Sequence, residues 1–394
     1  MSKPNLRALL LLGLTFVAGY GLWQAYNSSE PVMSASVSSN GAYAITTQRD
    51  QKLILWDLKG HRRKIISRNA NIYSAYFIKN QPIFLWQNLD NVVTAQSVTD
   101  EIHTAFELDK PTYGHLMTQD LSTYYYSDIG WSIFRRSEDG STETIKATDG
   151  RAFLGYHKLF NLSMAESERW LVSAGSGEPK GFEPPYYRSL QEVLNQGADY
   201  QRLYSVALWD LETGQPAVKL DGNSSKTHAV ISPDGQWVIS ADENGKSFYW
   251  STDQPEIRHR LARYRSGIYL EDTPFEMGDP RNWDKSGLID TPAGLNTFTI
   301  AVAFIHNSEY YLRFGNNSHF AALFKTGSPW PVKYFDLGES PRLVTYGSNY
   351  DRNTAIATSP EAGILAMGHQ STGGISVYQF DPEELTLERV WVVE

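Results

Sequence analysis

Ser38-Ser39-Asn40-Gly41, Tyr43-Ala44-Ile45-Thr46 and Leu53-Ile54-Leu55-Trp56-Asp57 form a phrase that this chain uses twice. The second copy runs Ser232-Pro233-Asp234-Gly235, Trp237-Val238-Ile239-Ser240 and Ser247-Phe248-Tyr249-Trp250. In both copies the opening Ser and the closing Trp stand 18 residues apart. A polar turn ending in Gly, followed by two short β-branched and aromatic runs, is the pattern of paired strands. Its repetition predicts an array of small sheets, in which surfaces carry function more than any single motif does.

Working outward, strand-like runs separated by turn residues continue to the end of the chain. They fall into groups of four. The first group spans residues 32–37, 43–47, 53–57 and 62–67, and the fifth spans 227–231, 237–241, 247–250 and 256–260. Seven such groups fit, those numbered two, three and six resting mainly on alternation and spacing. Seven units of about 40–45 residues need about 280–315 residues. A chain of 394 leaves room for an N-terminal segment and long insertions. Helical crossovers of the length that a parallel sheet needs are missing from the pattern.

These residues resemble the WD-repeat (WD40-like) β-propeller family in a divergent, bacterial type. The resemblance rests on Leu55-Trp56-Asp57-Leu58, on Leu208-Trp209-Asp210-Leu211-Glu212-Thr213-Gly214 and on Ser232-Pro233-Asp234-Gly235 through Trp250, with weaker echoes at Ser359-Pro360-Glu361 and Phe380-Asp381. It implies an all-β, seven-bladed propeller of four-stranded antiparallel blades. It also implies that Trp56-Asp57 and Trp209-Asp210 end third strands, that Trp250 takes the same place, and that Asp234-Gly235 turn between first and second strands. One departure stands out: Gly60-His61 follows a Trp-Asp pair, whereas the family's Gly-His precedes the first strand. The family's buried His–Asp–Ser/Thr–Trp network is therefore not established by the sequence.

Lys3 and Arg7 precede a charge-free run from Ala8 to Trp23, with Tyr20, Trp23 and Tyr26 at its far end. Positive charge before an apolar run keeps the N-terminus cytoplasmic, and aromatic rings favour the membrane interface. No small-x-small cleavage site follows, so residues 1–26 read as a single-pass signal anchor, with a cleaved signal peptide as the alternative. Residues 27–31 read as a linker and 32–394 as the propeller, placed on the exported side of the membrane (the periplasm in a bacterium). The net charge is −9, which argues against nucleic acid as a partner. Arg62-Arg63-Lys64 reads as a solvated turn after Asp57. The absence of Cys rules out disulfides, thiolate metal sites and cysteine nucleophiles.

Two insertions interrupt the array. Trp237 and Trp250 are 13 residues apart, whereas the matching Trp170 and Trp209 are 39 apart. The extra residues, at about 175–202, include Phe182, Tyr186, Tyr187, Tyr200 and a predicted short helix from Ser189 to Gln196 with a capping-box pattern. The second insertion, at about 265–296, carries Tyr269, Phe275 and Trp283 among several acids. In a four-stranded blade the two-to-three and four-to-one connections leave on the same face, so both insertions should decorate one rim. Aromatic residues interleaved with acids suit a protein-binding surface.

Catalytic and cofactor motifs are missing. Gly245-Lys246-Ser247 sits in a hairpin turn without the spacing of a phosphate loop, and no Gly-x-Ser-x-Gly elbow occurs. Asp279, Asn282 and Asp284 lack EF-hand spacing. No catalytic residue, cofactor or metal site is expected. The reading is a membrane-anchored scaffold that binds a protein partner through the inserted rim. The rival readings are a propeller hydrolase and a small-ligand sensor, each using acidic residues near the central channel.

Overall fold

The computed structural model describes residues 30–109, 111–112, 114–127, 133–145, 159–175, 206–213, 215–220, 222–223, 227–242, 247–261, 299–315, 320–338, 355–369 and 373–393. Every regular element among them is a strand. The strands form seven four-stranded antiparallel sheets, each built from strands consecutive in sequence. These sheets are the blades, here numbered one to seven in chain order. Blade one is Val32–Val37, Tyr43–Gln48, Leu53–Asp57 and Arg62–Ser67. The expected first, third and fourth strands of that blade, and the first strand of blade five (Thr227–Ile231), hold to the residue, while other ends in these two blades move. The last strand of blade five shrinks to His259–Arg260 because Gln254 and Ile257 close turns before it. Arg62-Arg63-Lys64 is not a turn but the start of an outer strand, its side chains exposed.

Alternation decides how the blades stack. In the third strand of blade one, Leu53 and Leu55 pack into the cluster shared with blade two. Ile54 and Trp56 point the other way, into the cluster shared with blade seven. Side chains on successive strand residues face opposite sides, so a strand sandwiched between two blades must be apolar at nearly every position. The buried residues accordingly divide into seven clusters, one per blade interface. Trp56, Trp209 and Trp250 are among the largest fully buried side chains. Each faces the preceding blade.

The ring closes without exchange of a strand between blade seven and blade one. Val32 N–H donates to the His369 carbonyl at 3.0 Å, and Gln48 Nε2 donates to the Gly373 carbonyl at 2.7 Å. Trp391 lies edge-on to Trp56 with centroids 6.3 Å apart and stacks on His61 at 5.1 Å. The Gly60-His61 pair that departs from the family pattern thus serves the seam: Gly60 N–H caps Asp57, and His61 covers Trp391.

Candidate functional site

The ring has two faces. Turns joining first to second and third to fourth strands emerge on one, here the turn face. Connections from second to third strands, and from each fourth strand to the next blade, emerge on the other. Residues 176–205 connect the second and third strands of blade four, Trp170–Gly175 and Val206–Asp210. Residues 262–298 follow the fourth strand of blade five and precede Thr299–His306 of blade six. The strand ends bracketing both segments lie on the same face, in neighbouring blades. Phe182, Tyr186, Tyr187, Tyr200, Tyr269, Phe275 and Trp283, together with the predicted helix at 189–196, fall outside the described residues. So does the apolar run at the N-terminus. Among the described residues no helix is long and apolar enough to cross a membrane.

The structural motif residues can be followed in full. Trp56 Nε1 donates to Thr46 Oγ1 at 2.9 Å, and Trp209 Nε1 donates to Ser173 Oγ at 2.9 Å. In blade five Ser240 Oγ donates to Asn223 Oδ1 at 2.8 Å. The bonds of Trp56 and Trp209 correspond to the Ser/Thr–Trp half of the network that the resemblance implies and the sequence left open. Asp57 and Asp210 end their strands and cap the following turns. The Gly60 N–H and the Arg62 guanidinium hold the Asp57 carboxyl below its ordinary value, and Arg169 does the same for Asp210.

The turn face is built from one recurring device. Ser232 Oγ donates to Asp234 Oδ1 at 2.5 Å and accepts from Trp237 N–H at 2.9 Å, while Gln236 N–H donates to Asp234. Ser38 and Asn40 repeat it in blade one. Thr118 and Asp120 repeat it in blade three. The hydroxyl and the side-chain oxygen together satisfy backbone donors that the turn would leave bare. Gly235 sits at φ +75°, where an L side chain is disfavoured.

These turns link hand to hand around the axis. Asn80 N–H donates to Ser39 Oγ at 2.9 Å, and Asn80 Nδ2 donates to Gln119 Oε1 at 3.3 Å. Gln119 N–H donates to Glu168 Oε1 at 2.5 Å. Glu166 N–H donates to the Pro233 carbonyl at 2.9 Å, Asp234 N–H to Ser308 Oγ at 3.0 Å, and Asn307 N–H to the Pro360 carbonyl at 2.9 Å. Ser359 Oγ donates to the Ser39 carbonyl at 2.5 Å and completes the circuit. Each of the seven blades is thereby tied to both neighbours. A sequence scan misses this girdle because its members are unlike: three Ser, a Gln, two Asn, two Glu, an Asp and two Pro share only their place after a first strand.

Inside the girdle lies a cavity of about 170 Å³, lined by first strands of six blades. Its wall carries Lys79 from blade two and Glu361 from blade seven. Lys79 opens onto the channel yet is surrounded by protein. Burial pulls its ammonium below the ordinary lysine range, against Glu166, Glu361 and Glu168. Burial also raises the Glu166 carboxyl, reinforced by its hydrogen bond to Glu361 and opposed by Lys79. Among the described residues no group of His, Asp and Glu has the geometry to hold a metal ion.

Residues 22–57 match the family model described as "WD domain, G-beta repeat", a match that ends on the Trp56-Asp57 pair closing the third strand of blade one. Solved structures agree over nearly the whole length. The β-propeller domain of Cps50 (Swd1) from Myceliophteria thermophila superposes with a TM-score of 0.58 at 12% identity, covering 90% of this chain and 97% of that one. The chain has the β-propeller fold, and one stretch of it, residues 22–57, matches a WD repeat. Hsv2 from Kluyveromyces lactis matches the propeller with a TM-score of 0.54 at 10% identity over 93% of this chain and 99% of the other. A form of that protein with loop 6CD replaced by a Gly-Ser linker matches at 0.55 and 12% identity. At such identities the likeness is one of fold, and sites must be argued from residues. No curated protein matches the propeller's sequence.

Proposed function

We propose that this WD40-type propeller is a binding scaffold that holds a protein partner on the face bearing the two insertions. In the same reading the N-terminal apolar run anchors it to a membrane, with the propeller on the exported side. The observation that carries the proposal is topological. The strand ends bracketing residues 176–205 and 262–298 open on one face of neighbouring blades. Two segments of that length on a rigid ring exceed ordinary connections, and long segments of this kind are commonly functional. They supply Phe182, Tyr186, Tyr187, Tyr200, Tyr269, Phe275 and Trp283, residue types that anchor interfaces. The rest of the ring acts as the platform, with its blades tied at the turn face and its cores packed pairwise.

The test is capture of partners after in-cell crosslinking, comparing the full chain with a form in which 176–205 is replaced by a short Gly-Ser link. Loss of the captured protein, with an unchanged melting temperature, is expected. Unchanged capture overturns the assignment of the insertion face.

A further inference from the structure

The cavity at the turn face holds two opposite charges that do not meet. Lys79 and Glu361 both line it, one from blade two and one from blade seven. Among the described residues the Lys79 ammonium has no ion-pair or hydrogen-bond partner; Glu166, Glu168 and Glu361 act on it through space. Glu361 Oε2 is approached by Ser359 Oγ at a long 3.4 Å. Lys79 is half-buried and Glu361 exposed, and the girdle fixes the turns that carry them. The Glu168 carboxylate is already engaged by Gln119 N–H, which leaves Lys79 and Glu361 as the charges on the cavity wall.

Among the described residues, the wall between them carries hydroxyls that accept a hydrogen bond and donate none. Ser36 Oγ accepts from Phe77 N–H, Ser163 Oγ from Ile231 N–H, and Ser39 Oγ from Asn80 N–H. A hydroxyl that accepts still has its own O–H to give. Ser36 and Ser39 lie in blade one, beside the blade that carries Lys79. An anionic group near Lys79 would therefore find a cation and hydroxyl donors together. A lone anion would leave Glu361 unpaired, and a lone cation would leave Lys79 unpaired. A cavity of about 170 Å³ is close in size to one of about 150 Å³ that takes up benzene.

We propose that this end of the channel is a binding site for a small zwitterion of amino-acid size, its carboxylate held by Lys79 with the Ser36 and Ser39 hydroxyls and its ammonium by Glu361. The site is on the face opposite the insertions and does not depend on them.

The test is calorimetric titration of the full-length protein with L-alanine, L-serine, L-valine, β-alanine and γ-aminobutyrate, with propionate and ethylammonium as single-charge controls. At least one zwitterion is expected to bind saturably with one site per chain, and about ten- to hundredfold more tightly than either control. Lys79→Met and Glu361→Gln should each weaken that binding about tenfold or more. Glu361 sits on an exposed turn, so its variant remains informative if Lys79→Met fails to fold. Failure of every zwitterion to bind, equal binding of propionate, or binding unmoved by Glu361→Gln overturns the proposal.

Discussion

Replacing Gly41 by Ala tests the seam that closes the ring. Gly41 has φ +64°, and a Cβ built there would lie 2.7 Å from Ala362 Cβ and 2.8 Å from Ile364 Cγ1, both in blade seven. Two costs follow. Holding an L residue in the left-handed region costs about 1–2 kcal/mol. Forcing a methyl into a filled interface costs about 1–3 kcal/mol more, because neither neighbour is a flexible chain end that can swing away. Gly140→Ala separates the two. Gly140 has φ +85°, but the nearest atoms belong to the Arg136 guanidinium at 3.1 Å, which can move. Gly140→Ala should therefore cost the backbone part alone, and Gly41→Ala about 1–3 kcal/mol beyond it. Urea unfolding followed by the fluorescence of the buried Trp56, Trp209 and Trp250 measures both. Equal losses for the two variants would mean that blades one and seven are not packed against each other in this way.

Further outcomes follow from individual contacts. His115 is buried and His228 half-buried, and desolvation pushes their pKa values down to about 3 and about 4. Because the folded values lie below the unfolded one, their contribution is present above about pH 6.5 and lost as pH falls towards 4. Urea titrations should lose roughly 4 kcal/mol between pH 8 and pH 5 from the two together, and His228→Gln should flatten the dependence. Thr46→Val strands the buried Trp56 Nε1–H and should cost about 1–3 kcal/mol in the same unfolding assay. Asp120→Ala removes three hydrogen bonds of the blade-three turn and should lower stability by about as much as Asp234→Ala does in blade five, with a melting scan as the readout.

The blades were legible where the register position facing the preceding blade is aromatic: Trp56, Trp209 and Trp250 pair there with Ala44, Leu171 and Val238. The same position is Gln96 in blade two and Arg136 in blade three, which hides the motif while keeping the alternation. The blade-three turn lacks the motif's spelling for a similar reason. Thr118-Gln119-Asp120 bonds as Ser232-Pro233-Asp234 does, but Leu121 takes the positive φ that Gly235 takes in blade five. The seam could not be read either, since Val32 meets His369 across more than three hundred residues. The channel cluster was out of reach because Lys79, Glu166 and Glu361 are scattered singly along the chain and converge only when first strands gather on the axis.

Site-specific photocrosslinking compares the two faces most directly. A benzophenone amino acid at Tyr186 or Trp283 samples the insertion face, and one at Lys59 or Glu383 samples the turn face. The account predicts partner adducts from Tyr186 and Trp283 and none from Lys59 or Glu383. Adducts confined to Lys59 and Glu383 would contradict it.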